Sequence, residues 1–467
     1  MSDQAPSRFD FVIIGAGPAG EAAVELAREG GHSAAIVDRD LFGGSCAYWA
    51  CMPSKSLLHA ASVHHAGGDF PWQKASAFRD WMISREDIDY PSDAGHAQRY
   101  ESIGATAIRG VARLDGPGRV HVDLREGGSR VLEAENIIIA VGSHSRIPDV
   151  VGLDEIDPWD NHEGTGAREL PRSLLVMGGG PTGTELAQVY ARYGVPVTLV
   201  DSNPRILARD HARNSALIQE ALEADGVVVR TGVRAVRVDP NAGGDGAHVV
   251  RLSDGSTAEG HEVMVSIGRA IPFDGLGLET IGVSPDGRMP KPDPQLRIAP
   301  NVYVVGDAAG PELHTHLAHY QGEMAVRIAR GEDVTPDYRA IPRALYTEPE
   351  VASVGLLLEQ ALQEGYDAFE ATADLYPTAK GYTSEAKGHM TIVVDRDART
   401  LLGAFIGGPG AAELIHEAVL AVKLRIPLVQ LADTIHAFPT AARVLGGLFV
   451  QVHRELEGFA RPNPTRR

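Results

Sequence analysis

Two cysteines, Cys46 and Cys51, are the only ones in 467 residues. They stand five apart in Gly43-Gly44-Ser45-Cys46-Ala47-Tyr48-Trp49-Ala50-Cys51-Met52-Pro53-Ser54-Lys55. Two are too few for a structural zinc site, and a reducing compartment disfavours a structural disulfide. That leaves two small buried side chains or a dithiol/disulfide couple. Residues five apart on a regular helix have Cα atoms roughly 8–9 Å apart, whereas a disulfide needs about 4.4–6.8 Å. A Cys46–Cys51 bridge therefore forces an irregular turn, and distorted disulfides are the more readily reduced ones. If Cys51 opens a helix, Lys55 lies one turn on, on the same face. Its charge and the helix dipole would both favour a thiolate.

A redox pair needs a source of electrons, and an internal repeat supplies one. Phe9 to Ile14 is a short apolar run of the kind that forms a buried parallel strand. It leads into Gly15-Ala16-Gly17-Pro18-Ala19-Gly20, a helical stretch from Glu21 to Arg28, and a second strand from Ala34 to Val37 ending in Asp38. The unit returns 163 residues later: Leu174 to Met177, then Gly178-Gly179-Gly180-Pro181-Thr182-Gly183, then Val197 to Val200 ending in Asp201. In both, the acid lies 18 residues after the third glycine. A lone G-x-G-x-x-G is weak evidence; two copies, each between strand and helix and each followed by an acid, imply two dinucleotides. The first glycine permits the tight turn, the second lets backbone approach a pyrophosphate, and the third lets helix and strand pack closely. The helix N-terminus faces the phosphates. Asp201 favours the free 2′-OH of NADH, while Arg205 stands close enough to weaken that preference.

The remaining chain fits a multidomain α/β layout, and its length exceeds one core. Further strands are expected at Asn136 to Val141, Val263 to Ile267 and Val302 to Val305. Beyond Pro342, Thr391 to Val394 and Leu401 to Ile406 read as antiparallel strands, and Glu413 to Lys423 and Arg443 to Leu456 as helices. Residues 66 to 100 are polar, with no strong period. The net charge of -19 argues against a nucleic-acid partner. No run of about 18 apolar residues suggests a membrane span. The polar start, Met1 to Asp10, lacks a signal-peptide pattern, and Arg461 to Arg467 reads as a frayed end. A cytoplasmic protein is expected.

The two nucleotide units, the C-x4-C segment and Lys55 together resemble the flavoprotein disulfide reductases. These are the class I pyridine nucleotide-disulfide oxidoreductases, such as dihydrolipoamide dehydrogenase, glutathione reductase and mercuric reductase. Ala140-Val141-Gly142, Ile267-Gly268-Arg269, Val305-Gly306-Asp307 and Tyr346 to Gly355 are similar to other patterns of this family, from about Phe9 to Glu457. The resemblance implies an α/β fold with two Rossmann-like domains and a C-terminal α+β dimerisation domain. The FAD-binding domain would be 1–150 with 270–340, the NAD(P)-binding domain 151–269 and the interface domain 341–467. Gly15, Gly17, Pro18, Ala19, Gly20, Gly44, Ser45, Ala112 and Gly142 would hold FAD. Asp38 would meet the adenosine ribose, Asp307 the ribityl-pyrophosphate, and the backbone at His316 the flavin pyrimidine edge. Gly178, Gly180, Thr182, Gly183, Asp201 and Gly268 would hold NAD(P)H. Cys51 would be the charge-transfer thiolate and Cys46 the exchange thiol, with Lys55 near flavin N5 and paired with Glu185. The partner chain of a homodimer would complete each site.

One segment departs from the family. Its C-terminal His-Pro-Thr, with a Glu five residues after the His, is here Phe438-Pro439-Thr440 with Arg443 at the Glu position. A phenyl ring carries no proton, and general acid–base help is worth about 10²–10⁴ in rate, or roughly 3–5 kcal/mol. His436 is the candidate substitute, but residues two apart in an extended segment lie roughly 6.6 Å apart, so a packing role is the reading preferred. A C-terminal Cys pair is also absent, which argues against mercuric reductase. Tyr48 and Trp49 would make the acceptor side aromatic, with an aromatic acceptor stacking near Trp49 and Phe438. His314-Thr315-His316-x-x-His319 coincides with the flavin-facing segment, and no metal is expected there. The expected activity is transfer of electrons from NAD(P)H through FAD and Cys46/Cys51 to a small-molecule disulfide. The alternatives are reduction of a quinone, metal ion or conjugated carbonyl at the flavin, and a redox sensor with little turnover.

Overall fold

A computed structural model describes residues 7–459; the terminal stretch Arg461 to Arg467 lies outside them. Phe11 to Ile14 are fully buried and pair in parallel on both sides, with Ala34–Asp38 and with Ser129–Ile139. Strands covered on both faces are continuously apolar, which is why these runs are short and rich in Ile, Val and Phe. Val302–Val304 adds in parallel beyond Ser129–Ile139, so one seven-stranded sheet draws on two distant stretches of chain. The helix Pro18–Glu29 has proline in its first turn and packs against the helix Thr315–Ala329. The fixed φ of proline suits a first helical turn, where its missing N–H costs nothing.

The second glycine unit sits on a four-stranded parallel sheet in the order Glu262–Val265, Leu174–Met177, Val197–Val200, Val228–Arg230. A three-stranded antiparallel sheet, spanning Ala235–Asp239, His248–Leu252 and Thr257–Gly260, lies beside it. The two chain crossings between this region and the first sheet pair with each other, His144–Ser145 against Arg269–Ala270. From Arg343 onward a five-stranded antiparallel sheet carries the helices Ala411–Leu424 and Ala441–Leu456. No described helix is long and apolar enough to cross a membrane.

Residues 66–100, without a period in the sequence, contain two helices, Trp72–Met82 and Ala94–Ser102. The first buries charge where an apolar stripe would be expected. Arg79 is wholly buried; it pairs with Asp80 at 2.8 Å and donates to the carbonyls of Thr165 and Ala167. Arg85 and Arg168 bind the same carboxylate at 3.2 and 2.8 Å. A buried carboxylate is tolerated only with partners of this kind.

Candidate active site

The cysteine segment folds as two helices with a break between them. The first, Gly44–Tyr48, ends at Trp49 (φ -130, ψ -2), and Ala50 (φ -134, ψ -94) leads into the second, Cys51–His65. Cys51 therefore occupies the first position of a helix, where the dipole favours negative charge. Both thiols are half-buried. The Thr315 hydroxyl lies 3.2 Å from Cys46 Sγ and 3.3 Å from Cys51 Sγ. A hydrogen bond from Cys46 lowers the Cys51 thiol to about 6, helped by Thr315 and by the Lys55 charge, against the opposing effect of burial. The same hydrogen bond, with burial, pushes the Cys46 thiol up. The pair is electrically unequal, Cys51 being depressed and Cys46 raised.

Lys55 follows one turn after Cys51. Its Nζ donates to both Glu185 carboxylate oxygens, at 2.8 and 3.1 Å, and sits 4.8 Å from the centre of the Tyr346 ring. Burial opposes its charge, but Glu185 outweighs that and holds the ammonium above its ordinary range. Glu185 also accepts from the backbone N–H of Tyr346 at 3.1 Å.

The two glycine units are built alike. A Cβ on Gly15 would collide with the Ala140 carbonyl, and one on Gly178 with the Ser266 carbonyl. Gly20 and Gly183 pack against the carbonyls of Gly15 and Gly178. The middle glycines face space: a Cβ on Gly17 would meet only the Gly44 Cα, at 3.8 Å, and one on Gly180 would meet nothing within 4 Å. These are the cradles a pyrophosphate would occupy, so the residues present fit two dinucleotides. Asp38 accepts from Ala16 N at 2.7 Å and Asp201 from Gly179 N at 2.6 Å, so each acid braces its own turn. Asp307 accepts from Ser143 and lies 3.8 Å from Arg269.

One cavity of about 2000 Å³ runs past both units and both thiols. Of the site residues expected from the sequence, Gly15, Gly17, Pro18, Ala19, Asp38, Gly44, Ser45, Ala112, Gly142, Asp307 and His316 line it on the side of the first glycine unit. Gly178, Gly180, Thr182, Asp201 and Gly268 line the other, with Cys46, Cys51, Lys55 and Glu185 between. Gly20 and Gly183 stand behind the wall. His436 is not brought to the thiols of its own chain: its Nε2 meets Glu417 Oε1 at 2.8 Å, its Nδ1 donates to the Thr434 carbonyl at 3.0 Å, and its ring fills the space beside Gly446.

Two finer expectations differ from the structure. Arg205 does not stand free beside Asp201; it donates to the carbonyls of Leu207, Ala208 and Asp210 at 3.0, 2.9 and 2.7 Å. Tyr48 and Trp49 are buried with Leu41 and Ile83, as apolar rings are driven to be, and Trp49 also lines the cavity beside the thiols. One face of the Trp49 indole stacks on His162 at 4.7 Å, while Phe438 is 73% exposed, so these two rings do not form one acceptor platform within the chain. Thr315 was not singled out from the sequence as a partner of the thiols; its only signal was its place between His314 and His316.

The comparisons agree with this geometry. A model of the pyridine nucleotide-disulphide oxidoreductases matches residues 9–322, and one of their dimerisation domain matches 341–447. The chain is 33% identical to a dihydrolipoyl dehydrogenase of Thermus scotoductus, covering 96% of this chain and 98% of that one. It is 31% identical to a mercuric reductase of Streptomyces lividans, covering 95% and 96%. Among solved structures, LpdA from Mycobacterium tuberculosis superposes with a TM-score of 0.84 at 26% identity, over 96% of this chain and 99% of that one. The chain belongs to the pyridine nucleotide-disulphide oxidoreductases, homodimeric enzymes that use FAD and NAD(P)H.

Proposed function

We propose that the enzyme uses Cys46 and Cys51 to reduce a small-molecule disulfide at the expense of NADH. The observation that carries this reading is the unequal thiol pair: a depressed Cys51 and a raised Cys46, both against the Thr315 hydroxyl. Bound FAD supplies the two-electron link between the nicotinamide and the sulfurs. Lys55, fixed by Glu185, holds positive charge one turn from Cys51 and favours its thiolate. Cys46, after losing its proton to solvent, attacks one sulfur of the acceptor and displaces the first thiolate. Cys51 then attacks the Cys46 sulfur, releasing the second thiolate and closing the Cys46–Cys51 bond.

With phenylalanine at position 438 and His436 held by Glu417, proton delivery to the departing thiol is weak. Exchange then favours acceptors whose thiols are acidic and leave unprotonated, such as aromatic disulfides. NADH is favoured over NADPH because Asp201 faces the cavity while the Arg205 guanidinium is spent on three carbonyls. The reading places the enzyme in the cytoplasm, where thiols stay reduced. The same loss of the histidine supports a second reading, direct reduction of a quinone, metal ion or conjugated carbonyl at the flavin.

An anaerobic panel separates the two. NADH and NADPH are each offered with lipoamide, glutathione disulfide, an aromatic disulfide and a naphthoquinone, to the wild type and to Cys46→Ser. Turnover of a disulfide that Cys46→Ser abolishes supports the first reading, with the aromatic disulfide fastest. Turnover of the quinone alone, indifferent to Cys46→Ser, rejects it. Negligible turnover throughout, with FAD tightly held, indicates a redox sensor.

A further inference from the structure

Pro53 occupies the third position of the helix Cys51–His65. It has no N–H, so a helix continuous through the break would leave the carbonyl of Trp49, four residues earlier, without a donor and in clash with the proline ring. Trp49 lies between the two cysteines, in the break between the short helix and the long one. Its carbonyl is bound from elsewhere in the molecule: Asn161 Nδ2 donates to it at 2.7 Å, while the Thr165 hydroxyl, 3.4 Å away, donates to the Asn161 backbone carbonyl at 2.7 Å. Asn161 is 6% exposed, and its own carbonyl oxygen accepts from the Ser145 hydroxyl at 2.7 Å. Both ends of the amide are thereby committed and its orientation is set.

The donor is anchored on the second nucleotide unit. Trp159 extends that unit's sheet beside Met264, with Trp159 N donating to the Val263 carbonyl at 2.9 Å and Val265 N to the Trp159 carbonyl at 2.8 Å. Asp160 and Glu163 then form a reciprocal cap on the turn Asn161–Gly166. Ser145 belongs to the paired crossing strands between the two units. A path of hydrogen bonds therefore leads from the second unit's sheet to a backbone carbonyl in the break of the redox turn.

We propose that Asn161 is a positioning residue for the Cys46/Cys51 couple, by which the second nucleotide unit holds the break at Trp49–Ala50 open and favours the disulfide over the dithiol. Were the chain to wind through this break as regular helix, the Cα atoms of the two cysteines would stand roughly 8–9 Å apart, beyond the reach of a disulfide. A carbonyl tethered to a side chain outside the helix opposes that winding. The inference rests on the reading that Cys46 and Cys51 cycle between dithiol and disulfide.

The test is equilibration of the FAD-loaded enzyme with dithiothreitol buffers of graded redox ratio, with the two thiols counted by alkylation. The wild type is titrated first. Asn161→Asp keeps the shape and the acceptor for Ser145 but turns an oxygen toward the Trp49 carbonyl. It should shift the equilibrium about tenfold toward the dithiol, a midpoint about 30 mV less negative. Thr165→Val, which removes the hydroxyl that holds the Asn161 backbone carbonyl at 2.7 Å and so loosens Asn161, should shift it in the same direction by less, and decides the matter if Asn161→Asp does not fold. Wild-type midpoints in the folded variants, with only the melting temperature lowered, would mean that Asn161 is merely structural and would overturn the inference. A wild type whose thiols never pair in any buffer would bring down the underlying redox reading, and this inference with it.

Discussion

The two glycine-rich units share their turns almost contact for contact but lead into different surroundings. In each, an acid at the end of the second strand braces the loop, and a downstream N–H closes on it: Gly43 N on the Ala16 carbonyl, and Leu207 N on the Gly179 carbonyl, both at 2.8 Å. In the first unit the chain at this point becomes the redox turn, with Gly44 pressed against Gly17. In the second it becomes the stretch Leu207 to Asp210 that occupies Arg205, followed by the helix Ala212–Ala224. The first cradle is thus closed by the segment that carries the thiols, and the second is left open around Gly180. A closed cradle suits a cofactor that stays, and an open one a nucleotide that binds and leaves.

Three experiments break or sharpen this contrast. The largest effect is expected at Gly44, whose φ of +64 already disfavours any side chain and whose Cβ would lie 2.6 Å from the Gly17 Cα. Strain and overlap of this kind cost on the order of several kcal/mol. Gly44→Ala should therefore purify with at least about tenfold less FAD, read from the flavin absorbance. Gly180→Ala, with open space at the same point, should keep its FAD and raise only the KM for NADH. Equal loss of flavin in both would erase the distinction between closed and open cradles.

The next effect is on nucleotide choice. Asp201→Ala removes the ribose acceptor and the brace on Gly179, and should lower kcat/KM for NADH about tenfold, the effect of one charge-assisted hydrogen bond. NADPH should lose less, so the ratio of the two kcat/KM values narrows. An unchanged ratio would show that Asp201 serves the turn alone.

The smallest effect separates the units by pH. Cys51 in the reduced enzyme is depressed from its ordinary value of 9.0 to about 6, so its thiolate persists above that point and is lost as pH falls through it. Stability linked to this group is complete above about 9 and disappears on the way down to about 6. The thiolate–flavin absorbance should therefore halve near pH 6 in the wild type, and at higher pH in Lys55→Met. The NADH dissociation constant should stay within about twofold over the same range, since the second unit contains no thiol. A flat thiolate signal between pH 5 and 8 would contradict the depressed Cys51.

Much of the site was legible because its demands are local. The glycines, their prolines and the trailing acids recur at fixed spacing, and the backbone of each turn explains why. Lys55 could be placed from Cys51 by helical spacing alone. The helix Trp72–Met82 was not legible, because it buries Arg79 and Asp80 where periodicity looks for apolar side chains. The separation of Trp49 from Phe438 was not legible either, since nothing near Trp49 in sequence shows that Leu41, Ile83 and His162 enclose it.

The sequence alone determined that the chain has two dinucleotide turns, a cysteine pair that needs an irregular turn, and a cation one turn beyond Cys51. Each follows from backbone geometry over a few residues. The tertiary structure decided that a hydroxyl from more than 260 positions away, Thr315, stands within 3.2–3.3 Å of both sulfurs. It decided that His436 is held by Glu417 and that Asn161 donates to the Trp49 carbonyl in the break between the cysteines. The physical reason is the same in each case: a hydrogen-bonding group announces its need in the sequence, but the partner that satisfies it is chosen by packing between elements far apart in the chain.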